Sequence, residues 1–248
     1  MVKGLDKFRT FFTDFPEQYI LIGGAACDIS FNEAGADFRA TKDLDVVLVV
    51  EALTKEFGQR FWEFIREGEY QHRARSNGNP QFYRFEKPTN KDFPKMIELF
   101  ARTDTVLHPD IAIIPLHIDD AVSSLSAILL NQDYYQLLMK GRKVINGVSV
   151  LSASYLVPFK VRAWLDLNDK KLSGTHVDSR DVKKHRNDVL RIVAELPLED
   201  RIELPAMIKE DMLHFTELMR DESIDLKTLG LPNVKLDNLI ELLKAIYC

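Results

Sequence analysis

The chain has 248 residues, 46% of them hydrophobic and 29% charged, with a formal net charge of −5. That hydrophobic share supports a buried core, in one large domain or a core with an appended subdomain, and excludes a disordered or fibrous chain. Two cysteines, Cys27 and Cys248, are too few for a disulfide framework or a Cys-based zinc site, and they point to a reducing compartment.

In chain order, Leu5, Phe8, Phe11 and Phe12 stand at helical spacing before Pro16, and Tyr19 to Ile22 reads as a strand. Gly23-Gly24 form a turn at its end, followed by a short apolar helix from Gly24 to Phe31. Asp43 to Val50 reads as a buried strand, and Lys55 to Glu67 as an amphipathic helix with Phe57, Phe61, Phe64 and Ile65 on one side. A turn is expected at Ser76-Asn77-Gly78-Asn79-Pro80, then an alternating strand from Gln81 to Phe85 and an apolar strand from Lys95 to Phe100. Pro115 interrupts the next apolar run. Asn146-Gly147, between Lys143-Val144-Ile145 and Val148-Ser149-Val150-Leu151, is a strong two-residue hairpin signal. Beyond Ser154 the pattern is helical, with Ser154 expected to cap a helix that carries Pro158 near its first turn. The predicted fold is α/β (α+β), a mixed twisted sheet flanked by helices over residues 1–153, followed by a helical region over 154–248.

Charge is spread unevenly. Residues 138–194 carry twelve Lys or Arg against five Asp or Glu, whereas 195–248 carry six against twelve. The basic middle reads either as solvated helical faces or as a phosphate-binding region. No apolar stretch approaches a membrane-spanning length and the first residues hold no cleavage-like segment, so a cytoplasmic protein with no membrane partner is expected.

The sharpest chemical signal is Asp43-Leu44-Asp45. Carboxylates two apart on a strand point the same way, and their repulsion is relieved by a divalent cation. The same tripeptide alone is also an ordinary polar strand start. Glu98, in Met96-Ile97-Glu98-Leu99-Phe100, is a third acid in an apolar strand, either facing solvent from an edge or joining Asp43 and Asp45 around a metal. Gly23-Gly24 upstream would let backbone N–H groups approach a phosphate, and Arg39 and Thr41 immediately precede the acids. Further on, Lys160 is either a phosphate ligand or a snorkelling surface lysine. Asp181, Lys184, His185 and Asp188 fall on one stripe of one helix, the pattern of a salt-bridged surface helix as much as of a site. His72, His108, His117, His176 and His214 are scattered without ligand spacing, and neither a P-loop nor a Gly-x-Ser-x-Gly motif is present.

Gly23-Gly24, Arg39-x-Thr41-x-Asp43-Leu44-Asp45 and Glu98 together resemble the DNA polymerase β-like nucleotidyltransferase superfamily. Val150-Leu151-Ser152 leading to a helix with Lys160, then the segment from Asp178 to Asp188, resembles the AbiEii and MenA-type toxins of two-gene toxin–antitoxin systems. The resemblance covers roughly residues 19 to 193. It implies an NTP substrate, Mg²⁺ or Mn²⁺ held by Asp43, Asp45 and Glu98, phosphates on Gly23 and Gly24 beside Arg39 and Thr41, and Lys160, Lys184 and Asp188 completing the nucleotide site. Departures are Ala25, where a small hydroxyl residue is common, a longer spacing to Asp43, and Glu in place of Asp as the last acid. The expected activity is transfer of a nucleoside monophosphate from an NTP to a tRNA, a protein hydroxyl or a small molecule, with pyrophosphate released and an antitoxin protein as partner. The alternatives are a nucleotide-binding regulatory module without catalysis, or an antibiotic-type small-molecule nucleotidyltransferase.

Overall fold

The computed structural model describes residues 2–39, 41–74, 80–102, 128–129 and 131–248. The chain is an α/β protein with a seven-stranded mixed sheet and a helical C-terminal region. It divides into two compact units, Met1–Leu130 with Lys140–Ala153, and Asn131–Met139 with Ser154–Cys248. The turn expected at 76–79, the break at Pro115, and His108 and His117 lie outside the described residues.

The first unit runs α1 (Leu5–Phe12), β1 (Tyr19–Ile22), α2 (Gly23–Glu33), β2 (Asp43–Leu48), α3 (Lys55–Glu67), β3 (Gln71–Ala74), β4 (Pro80–Glu86) and β5 (Met96–Ala101). After α4 (Gln132–Lys140), which belongs almost wholly to the second unit, it is completed by β6 (Arg142–Ile145) and β7 (Val148–Leu151). The strand order is β3-β4-β5-β2-β1-β7-β6, with β2 parallel to β5, β1 parallel to β7 and the other pairs antiparallel. Asn146 and Gly147 take φ of 49° and 77°, the two left-handed residues that a tight β6–β7 hairpin needs.

The helical stripes expected in α1 and α3 are buried: Leu5, Phe8, Phe11 and Phe12 in one, Phe57, Phe61, Phe64 and Ile65 in the other. Thr54 caps α3, its hydroxyl accepting from the Phe57 amide at 3.3 Å. Phe8 meets Tyr19 of β1 at 5.3 Å between ring centroids, Phe64 meets Phe93 at 4.8 Å, and Phe61 meets Phe85 of β4 at 5.6 Å. Each such ring contributes about 1.5–3 kcal/mol by leaving water. The register then fixes which face is which. Tyr19 and Leu21 share a face with Val46, the partner of Leu21, and Phe85 shares it with its partner Ile97. The aromatic core therefore covers the face of Leu44, Val46 and Ile97, and Asp43, Asp45 and Glu98 project from the opposite one.

Two boundaries differ from expectation. β2 ends at Leu48, because Val50–Ala52 turns into a 3-10 helix ahead of the Thr54 cap. The glycine pair is not a turn before α2 but its first two residues.

The second unit continues with α5 (Ala153–Leu172), α6 (Ser179–Ala194), α7 (Ala206–Met219), a 3-10 turn at Leu226–Leu229 and α8 (Leu236–Tyr247). Ser154 is not the N-cap of α5, which starts at Ala153, and Pro158 lies inside the helix rather than in its first turn. Proline has no N–H for the carbonyl four residues back, here that of Ser154. The Tyr247 hydroxyl from α8 donates to that carbonyl at 2.5 Å, which supplies the missing hydrogen bond. Trp164 packs edge-on against Phe215 at 5.2 Å, and Tyr134 of α4 against Phe159 at 5.3 Å. Among the described residues no helix is long and apolar enough to cross a membrane.

Candidate functional site

In the first unit, β1 delivers the chain into α2 through Gly23, at φ +66°. A Cβ on Gly23 would lie 2.1 Å from Oδ2 of Asp45, so a side chain there would push that carboxylate aside. A Cβ on Gly24 would lie 2.8 Å from the Thr41 hydroxyl and 3.6 Å from a guanidinium nitrogen of Arg39. The fold thus gathers Gly23, Gly24, Arg39, Thr41 and Asp45, which the sequence spreads over twenty-three residues. The N-cap residue of α2, Ile22, has no side chain able to cap the helix, and no acid sits in its first turn. Its leading amides, with the positive end of the helix dipole, suit an anion.

The acids stand beside that helix start. Asp45 is paired in register with Ile22 on one side and Glu98 on the other, and Glu98 is paired with Arg84. One cross-strand row therefore reads Arg84, Glu98, Asp45, Ile22 and then Gly23, with Asp43 two residues along β2 on the same face as Asp45. Asp43, Asp45 and Glu98 are all half-buried. β5 lies between β4 and β2, so Glu98 is not on an edge strand. Like charges opposite each other in a sheet are destabilising, and Arg84 offsets this by donating from Nε to Glu98 Oε1 at 2.7 Å.

The three carboxylates share a face without forming a ready-made cluster. Among the described residues no group of three or more His, Cys, Asp or Glu is arranged to hold a metal ion. The donor chemistry nonetheless suits Mg²⁺ or Mn²⁺, hard cations bound through one or two carboxylates that take substrate phosphates and water as their remaining ligands. Asp43 and Asp45 are the residues that fit this role.

The second unit holds the other sequence-predicted residues. Lys160 of α5 and Asp188 of α6 form a buried ion pair at 2.8 Å, with side chains 7% and 1% exposed. Arg191 lies 3.8 Å from the other Asp188 oxygen. Lys160 is thus neither a snorkelling surface lysine nor an open cation. Lys184, one turn before Asp188 on α6, is exposed. Arg162 is bound by Asp166 at 2.7 Å and Asp211 at 3.0 Å. Burial pushes the Asp166 carboxyl above its usual range, against the pull of Arg162.

Arg84 is the residue that sequence reasoning missed. Alternation sets it on the face opposite Phe85, but nothing local tells which side chain it meets there.

No protein-family model matches the chain, and comparisons with curated proteins and with solved structures return no match.

Gly23→Ala is expected to weaken Mn²⁺ binding and to cost about 1–3 kcal/mol of stability, because alanine is strained at positive φ and its methyl displaces the Asp45 carboxylate. Gly35 is the internal control: its φ is +76° and a Cβ there meets nothing within 4 Å. Gly35→Ala should therefore carry the backbone penalty alone and leave Mn²⁺ binding unchanged, by urea denaturation and Mn²⁺ titration. Equal effects at the two glycines would refute the contact with Asp45.

Proposed function

We propose that the chain is a metal-dependent nucleotidyltransferase that moves a nucleoside monophosphate from an NTP to an acceptor hydroxyl. The observation that carries this reading is the cross-strand row in which Glu98 and Asp45 lead directly to the glycine start of α2. The resemblance of Gly23-Gly24, Asp43-x-Asp45 and Glu98 to the DNA polymerase β-like superfamily points the same way, as does its toxin-like branch.

In this reading the Gly23 and Gly24 amides hold the β- and γ-phosphates, with Arg39 and Thr41 beside them. A divalent cation carried by Asp43 and Asp45 would neutralise phosphate charge and polarise the α-phosphate. Glu98 takes the proton of the acceptor hydroxyl. The acceptor oxygen forms a bond to the α-phosphorus while the bond to the β-phosphate bridging oxygen breaks, and pyrophosphate leaves with that electron pair. Positioning and charge neutralisation supply most of the acceleration.

The test is incubation with each α-phosphate-labelled NTP and cell extract, with Mg²⁺ or with excess chelator. Label should pass to one class of macromolecule or small molecule, with pyrophosphate released, and chelation should abolish it. NTP binding without any label transfer would overturn transfer in favour of a nucleotide-binding module. Transfer undiminished by chelation would overturn the role given to Asp43 and Asp45.

A further inference from the structure

We propose that Arg84 is a positioning residue that competes with the divalent cation for Glu98, so that its guanidinium sets how tightly the carboxylate face takes a metal. This rests on the reading of Asp43 and Asp45 as the cation site.

Three observations carry it. The register places Arg84, Glu98 and Asp45 as successive neighbours in one row across β4, β5 and β2, all on the face away from the aromatic core. Arg84 meets Glu98 twice on the same oxygen, from Nε at 2.7 Å and from a terminal guanidinium nitrogen, so the pair is directional as well as electrostatic. The two side chains remain 38% and 22% exposed, which leaves the pair in water and able to exchange partners.

Two states follow from this arrangement. With no cation, the guanidinium holds Glu98 and offsets its repulsion with Asp45. With a cation on Asp43 and Asp45, the carboxylate in register beside Asp45 is that of Glu98, and recruiting it breaks the pair with Arg84. The guanidinium is then released at the end of the row, where it can take an anionic group of the substrate or acceptor. Its backbone is fixed by the ladder to β5, so the exchange needs only side-chain rotation.

The experiment is a double-mutant cycle on Mn²⁺ binding, read from the free-ion electron spin resonance signal, in the intact chain with Arg84→Gln, Glu98→Gln and the two combined. Circular dichroism checks that each variant is folded. Arg84→Gln should tighten Mn²⁺ about two- to fivefold when Glu98 is present, the range of a partly exposed charge pair, and change it less than about 1.5-fold in the Glu98→Gln background. Arg84→Lys should restore most of the wild-type affinity. Equal tightening in both backgrounds would show a general charge effect and overturn the competition, as would no tightening in either, provided that wild-type chain binds Mn²⁺ and Asp45→Asn weakens it. Failure of wild-type chain to bind Mn²⁺, or binding unaffected by Asp45→Asn, would instead overturn the cation site itself and this inference with it.

Discussion

Asp188→Ala is expected to destabilise the helical unit by about 3–5 kcal/mol, the cost of breaking a buried ion pair by removing one side of it. The Asp188 side chain is 1% exposed and that of Lys160 7%, and the ammonium donates to the carboxylate at 2.8 Å. Arg191, 24% exposed at 3.8 Å, can turn to water when the carboxylate is gone, whereas the Lys160 side chain is 7% exposed and has little access to it. The companion variant Lys160→Met with Asp188→Leu removes both charges and should recover most of the loss, since apolar replacements of buried pairs are often neutral or better. Urea denaturation of the single and double variants measures the coupling. A single-variant cost below about 1 kcal/mol would mean that water or another group already shares the charge, and the pair would no longer account for the seating of α6 on α5.

How far the sequence carried this picture depends on the range over which each contact acts. The stripes of α1 and α3 and the Asn146-Gly147 hairpin were legible because their cause lies within a few residues: a helical period, and an Asn-Gly pair suited to positive φ. The shared face of Asp43 and Asp45 was legible for the same reason. That Glu98 stands beside Asp45 was not, since it depends on β2 pairing in parallel with β5 some fifty residues on, and parallel register has no local signature. Arg84 escaped because its partner is set by a second such register. Pro158 misled for a related reason: a proline in a helix argues for a first turn until a distant hydroxyl, Tyr247, is known to serve the orphaned carbonyl of Ser154. Lys160 and Asp188 were each singled out, but on separate helices, and only packing makes them a pair.

The strongest functional prediction concerns Asp43→Asn combined with Asp45→Asn. The proposed nucleotidyl transfer should fall about 10³-fold or more, because a cation held there would be worth several kcal/mol of charge stabilisation and each 1.36 kcal/mol is a factor of ten. Stability should change little. Both side chains are half-buried and asparagine matches aspartate in shape, so relief of repulsion beside Glu98 and loss of the contact Asp45 already makes should leave a net change within about 1 kcal/mol. Lost transfer with stability kept is diagnostic, since it assigns the acids to a ligand rather than to holding the fold. Label transfer within tenfold of wild type would sink the assignment of Asp43 and Asp45. Lost transfer accompanied by a clear drop in the urea midpoint would assign them to holding β2 against α2 and β5 rather than to chemistry.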